Sequence, residues 1–265
     1  MIIEYIDGDT FLEDNIDFLN SNEYLATFFK LNAVRLTRST LNDYALRCEV
    51  GEHKLLTLKM NPYSTLFFGD IECVSELISF MINNGYELDK YMCELSLGNE
   101  ILKELNRIPN IEFYESLSMD FMKATERTEP SSMEVEIPNE DDIDEIVECV
   151  DRFCDDCGIS KTRNRDFVIN DLPNYRIIRK DGKIVSMGKI APSTSNDLKV
   201  SEVYTRDEYR GQGLARKVVN SIKNEILDQG KNAVLSVDRK NPISNHLYAS
   251  LGYKRIFSQS EYRKK

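Results

Sequence analysis

The chemistry of this chain gathers in two short segments, Arg210-Gly211-Gln212-Gly213-Leu214-Ala215 and Asn245-His246-Leu247-Tyr248-Ala249. The first lies between a β-type run, Lys199 to Thr205, and a helix-type run, Leu214 to Leu227. A glycine-rich turn placed there aims backbone N–H groups into one concavity at a helix N-terminus, which suits a phosphate or pyrophosphate. The second segment sets a tyrosine on the next helix, past another β-type run. An anion cradle beside a phenol implies a phosphorylated acyl carrier and a proton donor.

The elements that must hold these segments read most cleanly in the second half. Met133 to Ile137 has the alternation of a strand. Pro138-Asn139-Glu140-Asp141-Asp142 then opens a helix, with acidic residues in the first turn where the helix dipole favours them. Ile143, Ile146, Val147 and Val150 form its apolar stripe. Tyr175 to Arg179 and Ile184 to Ile190 make a hairpin turning at Asp181-Gly182. Val200 to Thr205 is a central strand. Leu214, Val218, Ile222 and Ile226 share one face of the following helix, which ends near Gly230. Ala233 to Val237 is an apolar strand, Pro242 to Leu251 a helix closed by Gly252, and Tyr253 to Tyr262 the last strand or strands.

The first half has a similar rhythm. Phe11 to Asn20 and Glu23 to Leu36 read as helices, and Tyr44 to Val50 with His53 to Met60 as a hairpin around Gly51. Ser64 to Phe68 is a strand, and Ile71 to Asn83 a helix ending at Gly85. Tyr91 to Glu94, a short helix from Gly98 to Asn106, and Ile111 to Met122 follow. The order resembles that of the second half, as in a divergent repeat. This half has no Gly-x-Gly and its glycines lie far apart, so it is not expected to cradle a pyrophosphate. Thr125 to Ser132, polar and carrying Pro130, reads as the linker. The class is α/β (α+β).

Composition narrows the partners. An apolar fraction of 41% over 265 residues supports a packed core in one large or two ordinary domains. No run is long enough to span a membrane. The start, Met1-Ile2-Ile3-Glu4-Tyr5-Ile6-Asp7, reads as a strand rather than a signal peptide, so a cytoplasmic protein is expected. Net charge is −11, unevenly placed: residues 1–130 hold 11 basic and 23 acidic side chains, the rest 23 and 22. An acidic front half argues against nucleic acid as the main partner. The six cysteines are expected as reduced thiols. Cys154-Asp155-Asp156-Cys157 lacks a second pair, and only His53 and His246 could help it, so no metal site is expected.

Two stretches point to a family. Glu202-Val203-Tyr204-Thr205-Arg206-Asp207-Glu208-Tyr209-Arg210-Gly211-Gln212-Gly213-Leu214-Ala215 resembles the acetyl-CoA-binding motif of GNAT acetyltransferases, (Arg/Gln)-x-x-Gly-x-(Gly/Ala). Asn241-Pro242-Ile243-Ser244-Asn245-His246-Leu247-Tyr248-Ala249-Ser250-Leu251-Gly252-Tyr253 resembles their second motif, Asn-x-x-Ala/Ser-x-x-Leu-Tyr-x-x-x-Gly-Phe/Tyr. The two stand about one helix and one strand apart, in the right order. The match covers about residues 133–265. The whole chain looks like a tandem protein: a degenerate GNAT-like domain at 1–128 and a working one at 133–265, with two mixed, mostly antiparallel sheets flanked by helices.

The resemblance implies transfer of an acetyl group from the acetyl-CoA thioester directly to a primary amine of a small molecule, amino acid or peptide. The backbone of Arg210, Gly211, Gln212, Gly213, Leu214 and Ala215 would bind the pyrophosphate. The Arg210 and Arg216 side chains would add charge there, unless Arg216 faces solvent. The pantetheine arm would pair with Val203, Tyr204 and Thr205 as an extra strand, which requires the sheet to splay. Tyr248 is the candidate acid, since a phenol near pKa 10 can protonate a thiolate near about 8.5; otherwise it is a core aromatic. Asn241 and Asn245 bond the cofactor or cap the helix, and Asn241 before Pro242 suits an N-cap. Glu202, near the expected thioester, is the candidate base, although it does not match where the glutamate-base members carry theirs; a water chain or an already neutral amine would serve instead. His246, two positions from Tyr248, faces away from it. The alternative is a non-catalytic acyl-CoA-binding regulator.

Overall fold

The computed structural model describes residues 1–158 and 165–265. It divides into two compact units: Met1–Asp120 with Asp238–Lys240 and Phe257–Lys265, and Phe121–Val237 with Asn241–Ile256. The expected halves, 1–128 and 133–265, cut the chain at a different place.

The first unit begins with β1 (Ile2–Tyr5), α1 (Gly8–Leu19) and α2 (Glu23–Ala33). Asp7 and Asn22 cap the two helices, accepting from Thr10 N–H and Leu25 N–H. Then come β2 (Tyr44–Val50), β3 (His53–Lys59), β4 (Thr65–Gly69), α3 (Val74–Asn83), β5 (Lys90–Glu94), α4 (Leu95–Leu105) and β6 (Phe113–Ala124). Strands β1 to β4 pair antiparallel in sequence order, and β4 pairs parallel with β5. One core joins β2 to β5 with α3 and α4, and a second joins the same strands with α1 and α2. Helix α4 starts three residues before the expected Gly98 because the Glu94 carboxylate caps Ser96 and Leu97 N–H.

The last strand of the chain, β11 (Lys254–Lys264), explains the discontinuous first unit. It runs antiparallel to β5, with Gln259 facing Glu94 and Arg263 facing Lys90. Tyr262 is fully buried there, its ring stacked on Tyr91 at 4.7 Å.

The second unit holds α5 (Ile143–Cys157), α6 (Arg165–Asp171), β7 (Tyr175–Lys180), β8 (Lys183–Pro192), β9 (Asp197–Thr205), α7 (Leu214–Asp228), β10 (Asn232–Asp238) and α8 (Pro242–Ser250). Strands β7, β8 and β9 are antiparallel, and β10 joins β9 parallel. On one face Val218, Ile222 and Ile226 of α7 pack on Ile178, Val185 and Val200. On the other, Ile146, Cys149 and Val150 of α5 pack on Tyr175, Ile177 and Tyr204.

Two expectations change. Met133 to Ile137 is no strand. Only Glu136 bridges, exchanging backbone bonds with Ile177 at 2.9 and 3.0 Å, while Met133 is 102% exposed. Apolar alternation without a partner strand carries no ladder. The polar stretch 125–132 is also no loose linker but a strap along α7. Asn220 donates to the Glu129 and Pro130 carbonyls, Asn224 to the Glu129 carbonyl and Ser131 Oγ, and Ser132 N–H to Ser221 Oγ. Lys223, fully buried, donates to Thr128 Oγ1 and the Leu251 carbonyl at 2.7 and 2.8 Å. Burial holds its pKa below the usual lysine range.

Candidate functional site

The glycine turn sits at the C-terminal end of β9. Gly211 and Gly213 have φ of +75° and +73°, the left-handed region an L side chain enters only at a cost. Among the described residues a Cβ on either would meet nothing within 4 Å, so backbone conformation, not crowding, demands glycine. No side chain among the described residues caps α7. Its first intrahelical bond runs from Lys217 N–H to the Gly213 carbonyl at 3.2 Å. The N–H groups of Leu214, Ala215 and Arg216 therefore lack intrahelical acceptors, and the positive end of the dipole faces the concavity.

The neighbouring strands open beside it. Strand β10 pairs with β9 only at Asn232–Asp197, Ala233–Leu198 and Val234–Lys199. Beyond Lys199 the strands part, and Val200–Thr205 has no β10 partner. The far side of β9 stays zipped to β8 as far as Thr205, opposite Ser186. A crevice between parallel strands at their carboxyl ends, beside a helix N-terminus, is where an extended ligand can add as a strand.

Tyr248 lies on α8 in the α7-side core, 9% exposed, its ring edge-on to Tyr253 at 6.0 Å. Burial pushes its pKa up to about 12, so the phenol holds its proton across the physiological range. Asn241 accepts from Ser244 N–H at 3.1 Å, with Pro242 at the first helical position, so it does the capping work. Asn245 donates to the Asn241 carbonyl at 2.7 Å. His246 is exposed.

The charged side chains are turned to protein partners. Arg210 reaches Asp156 at 2.5 Å and Asp207 at 2.9 Å, and its Nε donates to the Thr205 carbonyl. Its side chain thus braces the end of β9 on α5. Arg216 pairs with Glu129 at 2.9 Å and donates to Ser250 Oγ at 2.6 Å. Gln212 accepts from Lys180 Nζ at 2.6 Å. Val203 and Leu214 pack in the α7-side core, Tyr204 in the α5-side core, and Thr205 Oγ1 lies 2.8 Å from Ser186 Oγ.

Glu202 is 1% exposed. Tyr175 OH donates to its Oε2 at 2.5 Å, and Lys189 Nζ lies 3.4 Å from its Oε1. Lys189 also pairs with Asp171. Lys189, Tyr175, Asp171 and Lys180 are not among the site residues expected from sequence. Lys189 left one signal, a lysine inside the apolar run Ile184 to Ile190 of a central strand.

Residues 193–263 match a family described as FR47-like protein, a span holding both glycines and Tyr248. No curated protein sequence matches the chain. Among solved structures, a GNAT-family acetyltransferase from Colwellia psychrerythraea superposes with a TM-score of 0.63 at 13% identity, covering 100% of both chains. A GCN5-related N-acetyltransferase from Sphaerobacter thermophilus gives 0.56 at 12%, covering 84% of this chain and 80% of that one. One from Kribbella flavida gives 0.53 at 14%, covering 82% and 89%. The fold is that of the GNAT acetyltransferases. Among the described residues no helix is long and apolar enough to cross a membrane, and no cluster of His, Cys, Asp and Glu could hold a metal.

Proposed function

We propose that the second unit binds acetyl-CoA and transfers its acetyl group to a primary amine of a small molecule, amino acid or peptide. One observation carries the reading: the uncapped N-terminus of α7, behind two left-handed glycines, opens beside strands that part after three pairs. The pyrophosphate takes the N–H groups of Gly211 to Arg216, and the pantetheine arm lies along Val203, Tyr204 and Thr205. Arg210 and Arg216 act there through the geometry they brace.

In the reaction the neutral amine nitrogen bonds to the thioester carbon, and the carbon–sulfur bond breaks. The electron pair leaves on sulfur as the CoA thiolate, which accepts a hydrogen bond from the Tyr248 hydroxyl until water protonates it. The proton lost by the amine passes to water. A phenol at about pKa 12 gives up its proton reluctantly, so its main service is a hydrogen bond that strengthens as charge grows on sulfur.

The first unit is proposed as a degenerate copy of the same fold. Its strands β4 and β5 also part after a short parallel pairing, at Thr65–Tyr91 and Leu66–Met92. It lacks the Gly-x-Gly, and Asp70 and Glu72 stand at the turn between β4 and α3, where a pyrophosphate would be repelled. The free thiols of Cys48, Cys73, Cys93 and Cys149 support a reducing compartment such as the cytoplasm. The second reading, an acyl-CoA-binding regulator without turnover, is favoured by the engaged carboxylate of Glu202.

Isothermal titration with acetyl-CoA and with CoA tests the assignment. One site per chain, lost on reversing the cradle's charge with Ala215→Asp, is the expected result. Two equal sites would refute the degenerate first copy, and no binding would refute the function.

A further inference from the structure

Strand β9 carries an irregularity at the level where its partner β10 has left it. Across the β8–β9 ladder, Met187 faces Tyr204 and Lys189 faces Ser201, so Glu202 and Val203 together stand opposite Gly188 alone. Glu202 has φ of +51°, a left-handed backbone on a residue that is not glycine. This is a β-bulge with its extra residue in the left-handed region. The bulge resets the phase of the strand. Val200 and Val203, three apart, both pack toward α7, and Tyr204 packs toward α5. In a regular strand, residues three apart point to opposite faces.

A side chain in that conformation needs something to hold it. Here the anchor is the side chain itself. Tyr175 OH gives a 2.5 Å bond to one Glu202 oxygen, and Lys189 Nζ lies 3.4 Å from the other. Tyr175 and Lys189 are direct register partners across β7 and β8. One polar group thus ties three strands at a single level. Lys189 is fixed in turn by Asp171 at the end of α6, with the Phe167 and Tyr175 rings at 4.5 and 5.5 Å. On the opposite face Gly188 lets α7 come close: a Cβ there would stand 2.9 Å from Ile222 Cδ1 and 3.0 Å from Val218 Cγ1.

We propose that Glu202, Lys189 and Tyr175 are positioning residues, which pin the β9 bulge and so fix which backbone groups β9 turns toward the acyl carrier. Glu202 then holds the strand rather than deprotonating the amine. A general base must offer a lone pair to the proton it takes. The Glu202 carboxylate is 1% exposed, with a phenol on one oxygen and an ammonium near the other. The inference rests on the acetyl-CoA reading of the crevice.

The test compares four variants of the full chain by acetyl-CoA titration, with thermal melts to confirm folding. Lys189→Met and Glu202→Gln break the anchor while leaving an L side chain in the left-handed backbone. Both should weaken acetyl-CoA binding about tenfold or more, the scale of misplacing a site from outside it. Glu202→Gly removes the carboxylate but adopts the bulge freely, and Lys189→Arg keeps a cation on Glu202. Both should bind within about threefold of the unmodified protein, well inside the tenfold loss that marks a displaced site. This rescue by glycine separates positioning from chemistry. If Glu202→Gly binds as poorly as Glu202→Gln, the carboxylate matters for itself and the inference falls. It also falls if all four bind like the unmodified chain. If Lys189→Met does not fold, the glycine–glutamine comparison decides alone. Failure of the unmodified protein to bind acetyl-CoA overturns the function and this inference together, and is distinguishable because it needs no variant.

Discussion

Gly213→Ala, set against Gly230→Ala, isolates what the glycine turn does. The two glycines bracket α7 with nearly the same backbone, φ of +73° and +71°, and a Cβ on either meets nothing within 4 Å. Each substitution therefore incurs only the left-handed penalty, about 1–2 kcal/mol for an L residue. In a chain of this size about 1 kcal/mol shifts Tm by roughly 2–4 °C, so both variants should melt roughly 2–8 °C lower. Only position 213 lies where an anion must touch the N–H groups of the first turn. Displacing one charge-assisted bond costs about 1.5–3 kcal/mol. The expected loss of acetyl-CoA affinity in Gly213→Ala is thus roughly ten- to hundredfold, with Gly230→Ala unchanged. Calorimetric melting and isothermal titration read the two quantities separately. Equal affinities in the two variants, at equal loss of Tm, would refute the assignment of the cradle to this turn.

Tyr248→Phe should lower kcat about a hundredfold, as for loss of one positioned proton donor, and leave the acetyl-CoA Kd unchanged; steady-state rates with titration check both, and an unchanged kcat would remove the phenol from the reaction. Because burial raises the Tyr248 pKa to about 12, the protonated form persists well above neutrality, and an alkaline limb of the rate profile below about pH 11 would contradict that value. The same shift bears on stability. The folded state favours the neutral phenol, so this stabilisation is complete below the unfolded pKa near 10 and fades as pH rises through about 12, about 3 kcal/mol from this one group. Tyr253 is shifted the same way by burial. Urea midpoints measured from pH 8 to 12 should be level at first and fall steeply above about pH 10.

What could be read from the sequence depended on how far the deciding partners lay. The turn at Gly211–Gly213 and helices α7 and α8 were legible because the glycines, the Asn241–Pro242 cap and the four-residue apolar spacing all act within a few positions. The engaged state of Glu202 was not, since Tyr175 and Lys189 reach it only through the register of three strands. The stretch 125–132 looked loose because its composition is polar, yet Asn220 and Asn224, some ninety residues on, take up its carbonyls. Helix α6 has seven residues, too few to show a period. The ion pairs of Arg210 and Arg216 with Asp156 and Glu129 were not legible either, because a guanidinium is read from sequence as free charge.

The pairing of β11 with β5 has a consequence for how the protein is made. Domains ordinarily fold as they emerge during synthesis, the N-terminal one first. The first unit cannot follow that order. The neighbour of β5 and the ring that stacks on Tyr91 belong to residues 257–265, made after the whole second unit. Until then, one edge of β5 lacks its β11 partner. The unit begun first is completed last, so a nascent chain stalled before residue 257 would carry an open strand edge, an invitation to mispairing that a finished chain has closed.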